Sequence, residues 1–242
     1  HRLRFSEISA LIERSHAGAV VSTPTLLDGL VLPDRCPILI AAGQPPRKAI
    51  HAHLFESVES KPPTGRDERV VDLGANDEAV LQYTSGSTGR PKGIVRTNRG
   101  EVFQVLSILM GEGAELSENT PHIVLTTCPL DHLLGRASLL SSIARSGCFI
   151  TFSHFATADI LDAIQEHGVR ALSLLPPATY SRIMNHPSFS ATDVSTVRTI
   201  QCSAGSAPSS LMERLVDAFP AAELASSWGQ SESGTGTTHR LT

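Results

Sequence analysis

Hydrophobic and polar positions in the second half of the chain form two kinds of segment that alternate. Short apolar runs are separated by longer segments whose apolar residues recur at the helical period. The apolar runs lie at 122–126, 147–152, 169–175, 197–202 and 222–226, and the helical segments at 133–145, 157–167, 177–185 and 209–219. Helices that separate apolar strands indicate βαβ units. We therefore predict an α/β fold of mostly parallel sheets flanked by helices.

A loop rich in glycine and hydroxyl residues lies between two extended segments, 79–83 and 94–96. It reads YTSGSTGRPKG from Tyr83 to Gly93. Glycines let backbone N–H groups converge on an anion, hydroxyls add donors, and Lys92 and Arg90 supply positive charge. The spacing does not fit a Walker loop, and a flexible linker would not stand between two strands. The sequence therefore predicts a phosphate-binding loop of another kind.

The segment after this loop predicts a helix that begins at Asn98, with Glu101 three residues later as the partner of a capping box. Its apolar face is predicted from four residues: Val102, Val105, Leu106 and Leu109. The polar, acidic segment 112–121 is the clearest break in the sequence. We expect a first α/β subdomain over residues 1–115, which carries the phosphate loop, and a second, incomplete one over 121–242.

Composition narrows the class of protein. The chain of 242 residues is 40% hydrophobic and 18% charged, with a formal net charge of −4. A mildly acidic balance argues against a nucleic-acid partner or an anionic membrane surface, and no apolar run is long enough for a membrane span. The cysteines, Cys36, Cys128, Cys148 and Cys202, are predicted to be buried free thiols in a reducing compartment, which favours a cytoplasmic protein.

The loop YTSGSTGRPKG resembles the phosphate loop of the adenylate-forming superfamily, which includes acyl-CoA synthetases, peptide-synthetase adenylation domains and luciferases. Three more segments match that family in order. Residues 129–132 resemble its Pro-Leu-aromatic-His segment, with Asp131 in place of the aromatic residue. Residues 205–208 resemble its adenine-side Gly-Ala-Pro turn, and residues 228–232 its Tyr-Gly-x-Thr-Glu motif. The resemblance covers essentially the whole chain.

The resemblance implies a two-step, ATP-dependent ligation. A carboxylic acid would attack the α-phosphorus of ATP to give an acyl-adenylate, and the acyl group would pass to a thiol of coenzyme A or of a carrier-protein phosphopantetheine. Members of the family extend further at both ends, so the chain resembles a fragment of the large N-terminal domain. Its partner would be the C-terminal domain of the same chain, with the adenylation lysine, and we expect negligible turnover from these residues alone.

The resemblance also implies roles for individual residues. Lys92 would add positive charge during catalysis, and His132 would orient the substrate carboxylate. Glu232 would bind Mg²⁺ opposite the phosphate loop. The β- and γ-phosphates would be held by Thr84, Ser85, Gly86, Ser87, Thr88, Gly89 and Lys92. The adenine and α-phosphate would meet Gly205, Ser206, Ala207, Pro208, Trp228, Gly229 and Ser231.

Two other functions stay open at this point. Residues 229–233 come within one residue of the Gly-x-Ser-x-Gly elbow of α/β-hydrolases, with Ser231 as nucleophile. The chain could also be a nucleotide-binding remnant that never completes a reaction. If it is a ligase, the apolar residues at 174–178 and 194–202 favour an acyl or aryl group over an amino acid.

Overall fold

The computed structural model describes residues 3–23, 26, 30–31, 38–41, 52–54, 72–84, 91–111, 122–152 and 154–241. The chain divides into two compact units, His1–Asp72 and Leu73–Thr242. The predicted subdomain boundary at 112–121 stays a prediction, since residues 112–121 lie outside the described ones.

The first unit contains one described helix and a parallel sheet. Helix α1 spans Phe5–Arg14, and its Glu7 carboxylate accepts the backbone N–H of Arg4 at 2.6 Å. Three strands form the sheet in the order β1-β2-β3. They are β1 (Ala19–Ser22), β2 (Ile38–Ala41) and β3 (Ala52–Leu54).

The second unit begins with a β-hairpin and continues as alternating strands and helices. The hairpin strands are β4 (Glu78–Thr84) and β5 (Lys92–Thr97), and α2 (Asn98–Gly111) follows directly. Next come β6 (Ile123–Leu125), α3 (Leu133–Ala144), β7 (Cys148–Ile150), α4 (Thr157–His167), β8 (Ala171–Leu175) and α5 (Pro177–Met184). After a 3₁₀ turn at Phe189–Ala191, the unit ends with β9 (Thr199–Cys202), α6 (Ser209–Ala218), β10 (Glu223–Gln230) and β11 (Gly234–Leu241).

Six of these strands form one sheet in the order β11-β10-β9-β8-β6-β7. All neighbouring strands from β7 to β10 are parallel, and β11 adds an antiparallel edge. The α/β fold with a mostly parallel sheet is therefore confirmed. The direction of strand order reverses between β6 and β8, and in such sheets ligands bind at the carboxyl ends of the strands near this point.

One face of the sheet is covered by α4, α5 and α6 and is almost entirely apolar. Leu172, Ile200 and Leu224 from the sheet pack there against Ile164 of α4 and other aliphatic side chains. The Tyr180 hydroxyl is buried among them. It lies within hydrogen-bond distance of two carbonyl oxygens that can accept its proton, at 3.1 Å from Leu172 O and 3.0 Å from Gln201 O. This face contains the main hydrophobic core.

The opposite face, beneath α3, combines small and polar residues with a small apolar cluster of Ile108, Ala137 and Leu174. The first turn of α3 packs closely against the loop before it. Glycine at position 135 permits this approach, because a Cβ there would collide with the Pro129 carbonyl. Ser138 Oγ lies 3.2 Å from Ser173 Oγ, which in turn donates to Gln201 Oε1 at 3.3 Å. The register of β8 shifts just beyond Ser173, where Leu174 adopts a left-handed φ of +57°. Because of this bulge, the consecutive residues Ser173 and Leu174 both contact α3, Ser173 through Ser138 and Leu174 through the apolar cluster that contains Ala137.

The predicted start of α2 at Asn98 is confirmed, but the predicted capping box is wrong. Thr97, not Asn98, caps the helix, because its Oγ1 accepts the Gly100 N–H at 3.2 Å. The Glu101 carboxylate is not part of a capping box but accepts hydrogen bonds from Arg96 and Arg136. Two guanidinium groups attract a carboxylate more strongly than one neutral backbone N–H does.

The predicted apolar face of α2 is only partly buried, since Val105 and Leu109 are half-buried but Val102 and Leu106 are exposed. Val102 and Leu106 are 58% and 46% exposed, whereas Glu101 and Gln104 are 8% and 3% exposed. The helix is apolar on most sides, so its pattern does not choose a buried face, and polar contacts decide the orientation.

Two further differences concern β10 and the cysteines. Strand β10 runs to Gln230 rather than 226, because β11 pairs with its extra residues. Cys202 is buried as expected, but Cys148 is exposed, and Cys36 lies outside the described residues. Among the described helices, none combines the length and apolarity needed to cross a membrane.

Candidate functional site

A cavity of about 710 Å³ lies at the carboxyl ends of β6, β9 and β10. We call it the main cavity. It is lined by His132, Leu133, Leu134, Ser203, Ala204, Gly205, Ser206, Ser226, Ser227, Trp228, Gly229, Gln230, Ser231 and Gly234. Three of the segments singled out in the sequence, at 129–132, 205–208 and 228–232, thus contribute to one cavity. The topology explains this, since these residues lie at the ends of parallel strands of one sheet.

Trp228 presents its indole ring at this cavity. The side chain is 59% exposed, so much of the ring is open to solvent. The ring lies over the neighbouring strand at Gly236, where a Cβ would come within 3.0 Å of the indole Cζ3. Glycine on β11 thus leaves room for the ring, and a free aromatic face of this kind can stack on a planar base.

The segment after β9 forms a turn along the cavity wall. The backbone N–H of Ser203 donates to Leu175 O at 3.1 Å, and Ala204 has a left-handed φ of +59°. Gly205 and Ser206 are exposed to the cavity. Of the other two predicted residues, Ala207 packs against the apolar core and Pro208 precedes the first turn of α6.

His132 lies at the start of α3, on the other side of the main cavity. Its backbone N–H donates to Pro129 O at 3.0 Å, and the residue is exposed. Leu133 and Leu134, the next residues, add apolar surface to the cavity. The imidazole is therefore available to a ligand, while the helix that follows it is fixed against the sheet.

The β10–β11 hairpin ends in a turn at residues 231–234, which we call the motif turn. Ser231 lines the main cavity, whereas Glu232 and Ser233 line a second cavity of about 370 Å³. The second cavity is also lined by Val95, Arg96, Thr97, Gly100, Phe103, Gln104, Ser107 and Thr235. The motif turn is therefore a wall shared by the two cavities. It joins two strands, whereas a nucleophile elbow joins a strand to a helix.

The phosphate loop lies mostly outside the described residues. Its two flanking strands are confirmed as an antiparallel pair, in which Thr84 lies opposite Lys92. Lys92 is exposed and Thr84 half-buried. Residues 85–90 lie outside the described residues. They include five residues predicted to bind phosphate: Ser85, Gly86, Ser87, Thr88 and Gly89. The expected position of Glu232 opposite this loop thus stays a prediction.

A buried ion cluster beside the site was not predicted from the sequence. Arg96 of β5 and Arg136 of α3 both donate to the Glu101 carboxylate, the latter at 3.0 Å from Nε. Burial alone would raise the pKa of Glu101, but the hydrogen bonds from Arg136 and Arg96 outweigh it and hold that pKa below the ordinary 4.5. The sequence did contain one sign of this cluster: Arg96 stands in an otherwise apolar strand and Glu101 in an otherwise apolar helix.

The sequence analysis also missed Gln104. Its amide is buried and bonds to Thr235 through both polar atoms, with Nε2 at 2.7 Å from Oγ1 and Oε1 at 2.8 Å from the backbone N–H. Gln104 is separated from Thr235 by 131 positions, so no local pattern reveals this contact.

The donors at the motif turn fit a magnesium–nucleotide complex. Mg²⁺ in nucleotide sites is commonly held by one or two carboxylates, with phosphates and water as its other ligands. Glu232 is an exposed carboxylate at the edge of a cavity, beside the hydroxyl residues Thr97 and Ser233. Within the described part of the chain, no three His, Cys, Asp or Glu side chains cluster as a metal site.

The family model described as "AMP-binding enzyme" matches residues 1–242, which is the whole sequence. The chain belongs to the AMP-binding enzyme family. The chain is 30% identical over 181 residues to 4-coumarate–CoA ligase 3 of Arabidopsis thaliana, covering 74% of the chain and 32% of that protein. It is 27% identical over 217 residues to the feruloyl-CoA synthase of an Amycolatopsis species, covering 89% of the chain and 40% of that protein.

The fold of this AMP-binding chain is also found in solved structures. The luciferase-like enzyme from the Zophobas morio mealworm superposes with a TM-score of 0.79 at 18% identity. The superposition covers 98% of the chain and 54% of that structure. The chain spans only about a third to two-fifths of the length of the two curated relatives.

Proposed function

We propose that the gene product containing these residues activates a carboxylic acid with ATP and transfers the acyl group to the thiol of coenzyme A. The observation that supports this most directly is the main cavity. Side chains from three separate segments, His132, Ser206 and Trp228 among them, line it together. Ser231 completes the set at the motif turn. Family membership supports the use of an adenine nucleotide.

In this proposal the adenine stacks on the Trp228 ring and faces the turn at Gly205 and Ser206. The Ser231 hydroxyl donates to the α-phosphate, at the wall between the two cavities. The glycine- and hydroxyl-rich loop between β4 and β5 supplies N–H and O–H donors to the β- and γ-phosphates. Each charge-assisted hydrogen bond of this kind contributes about 1.5–3 kcal/mol.

Glu232 and Lys92 supply the charges that the proposed reaction needs. Glu232 would hold Mg²⁺, and the ion would supply positive charge to neutralise the phosphates. Lys92, exposed at the start of β5, adds positive charge near the leaving group. His132 orients the attacking carboxylate from the opposite wall of the main cavity. Adenylation thus rests mainly on positioning and electrostatic stabilisation.

For the acid we propose an aromatic carboxylic acid. The two curated relatives are named for coumarate and ferulate, both aryl acids. The main cavity combines apolar surface from Leu133 and Leu134 with several serines, which suits a planar ring that carries polar substituents. Coenzyme A is preferred to a carrier-protein thiol because both relatives are named as CoA enzymes.

The test is acid-dependent ATP–pyrophosphate exchange by the full gene product, with a panel of aryl, alkyl and amino acids, followed by thioester formation with coenzyme A. We expect exchange with aryl acids and its loss in Glu232→Gln. ATP binding without exchange for any acid would favour a nucleotide-binding remnant. Labelling of Ser231 by a fluorophosphonate would instead favour a serine hydrolase.

The low activity expected from the 242 residues alone stays a prediction. Exchange should be negligible for this chain when it is expressed by itself and assayed with the same acids. Turnover by these residues would contradict that expectation and would place the full catalytic set within them.

A further inference from the structure

We propose that Gln104 is a positioning residue for the nucleotide site, because it fixes the motif turn so that Glu232 faces the cavity beside β5. This inference rests on the proposed function, in which Glu232 is the carboxylate that holds Mg²⁺ with the nucleotide. Gln104 itself touches neither nucleotide nor metal in this proposal. It acts through the turn.

Gln104 holds the C-terminal end of the motif turn. Its side-chain amide makes hydrogen bonds of 2.7 and 2.8 Å to the hydroxyl and the backbone N–H of Thr235. Gly234 lies directly against the same amide, since a Cβ there would collide with Gln104 Oε1, and its φ is +80°. The approach is thus close enough that only glycine fits. These contacts fix the end of the turn to α2.

Arg96 holds the other end of the motif turn. Its Nη1 donates to the Ser231 carbonyl at 3.2 Å, and its Nη2 donates to the Gly100 carbonyl at 3.2 Å. Its Nε donates to Glu101, which also accepts from Arg136 of α3. Arg96 therefore ties the turn to the strand that leaves the predicted phosphate loop and to two helices.

Glu232 lies between these two fixed ends. It is exposed and lines the same cavity as Arg96, Thr97 and Gln104. The direction of the Glu232 side chain is therefore set by the backbone of the turn, since the side chain itself is exposed. Groups that hold a metal ligand in place commonly change metal affinity by about 10–100-fold when they are removed.

The contacts of Gln104 explain why an amide stands at this position. The outward face of α2 carries Val102, Phe103 and Met110, so apolar residues are compatible with the helix. Burying an amide is unfavourable unless its hydrogen bonds are made. The Nε2 and Oε1 atoms of Gln104 both make their hydrogen bonds with Thr235, at the end of the motif turn. The choice of glutamine thus serves the position of the turn.

The experiment compares wild type with Gln104→Met in the 242-residue chain. Calorimetry measures the Kd of ATP with Mg²⁺ and with EDTA. We expect Gln104→Met to lower the gain in affinity from Mg²⁺ by about tenfold, with little change for metal-free ATP. Acrylamide quenching of Trp228, the single tryptophan, should also increase without ligand, since the hairpin end is less constrained.

Gln201→Met is the matched control. Gln201 is also a buried glutamine, 2% exposed, but its side chain accepts from Ser173 rather than from the motif turn. This variant should lower stability and leave both the Mg²⁺ gain and the quenching at wild-type values. If Gln104→Met does not fold, Thr235→Val removes one of the two contacts and should lower the Mg²⁺ gain in the same direction.

The outcomes separate this inference from the proposed function. If wild type shows no Mg²⁺-dependent ATP binding, both are overturned. If wild type shows it and Gln104→Met or Thr235→Val retains the full gain with wild-type quenching, the role of Gln104 alone is overturned. An equal loss in Gln201→Met would also overturn it, because the effect would then follow stability.

Discussion

The two faces of the large sheet are built from different kinds of side chain. The face beneath α4, α5 and α6 is aliphatic, with Leu172, Ile200 and Leu224 among its fully buried residues. The face beneath α2 and α3 contains hydroxyls, amides and an ion cluster. Apolar burial stabilises a fold without setting directions, whereas hydrogen bonds fix particular atoms at particular distances.

This comparison teaches that stability and site geometry come from opposite faces of the same sheet. The aliphatic face holds the strands together, so their carboxyl ends form the main cavity. The polar face connects α2 and β5 to the motif turn through Gln104 and Arg96. Substitutions on the aliphatic face should therefore change unfolding alone, whereas loss of the contacts that Gln104 and Arg96 make with the motif turn should also change ligand binding.

The largest effect is expected on the aliphatic face. Leu172→Ala removes a fully buried side chain, and large-to-small changes of this kind cost roughly 2–5 kcal/mol of unfolding free energy. Urea denaturation of the 242-residue chain, followed by Trp228 fluorescence, measures the loss. The Kd of ATP for the folded protein should stay at the wild-type value. A large change in Kd without loss of stability would contradict the division between faces.

The ion cluster gives the next largest effect. Glu101→Gln leaves Arg96 and Arg136 without their carboxylate, and breaking a buried ion pair costs about 3–5 kcal/mol. We expect the lower end, because Arg136 retains some exposure to water. Unlike Leu172→Ala, this variant should also weaken Mg²⁺·ATP binding, since Arg96 holds the motif turn.

The pH dependence of Glu101→Gln provides its control. The pKa of Glu101 is lower in the folded protein than its ordinary 4.5, so the carboxylate stabilises the fold above pH 4.5. That contribution is lost as the pH falls through the lowered pKa. The stability difference between wild type and Glu101→Gln should therefore be complete near neutral pH and shrink below 4.5. A difference that is constant across this window would show that the charge is irrelevant.

Trp228→Ala tests the cavity rather than either face. Loss of one base–aromatic stack costs about 1–3 kcal/mol of binding free energy, which raises Kd by roughly 5- to 150-fold. Stability should change little, because the ring is 59% exposed. Trp228→Phe retains an aromatic face and should recover most of the affinity in calorimetry. Equal affinities for all three proteins would exclude stacking on this residue.

The smallest effect is expected from Tyr180→Phe. The buried hydroxyl bonds to carbonyls of Leu172 and Gln201, and the net contribution of such a hydrogen bond is about 1 kcal/mol. Urea denaturation should show a loss of this size and calorimetry an unchanged Kd for ATP. A loss as large as that of Leu172→Ala would mean that the aliphatic face also depends on directional contacts.

The strands and helices could be predicted because each carries its own periodic pattern. Both ends of helix α4 (Thr157–His167) were predicted correctly. Its C-terminal end is marked by Gly168, whose φ of +62° terminates the helix. Strand β8 and helix α6 were found from apolar runs and a following Pro220. Part of the lining of the main cavity was found from motifs, namely His132, Gly205, Ser206, Trp228, Gly229 and Ser231. The roles assigned to these residues stay predictions.

Most contacts on the polar face could not be predicted, because they join residues far apart in sequence. Glu101 suits a capping box by its spacing from Asn98, but it instead accepts hydrogen bonds from Arg96, five positions earlier, and from Arg136, 35 positions later. Helix α2 is apolar on most sides, so its buried face depends on the partner of Gln104 in β11. The extension of β10 beyond 226 likewise depends on pairing with a strand rich in glycine and threonine.

Fluorescence titration of the 242-residue chain with ATP tests the central claim, since Trp228 is its single tryptophan. Inorganic tripolyphosphate, which has the same phosphates but no base, is the matched ligand. The account predicts saturable quenching of Trp228 by ATP, and binding of tripolyphosphate without that quenching. An emission spectrum that ATP leaves unchanged at concentrations where calorimetry shows it bound would contradict the account.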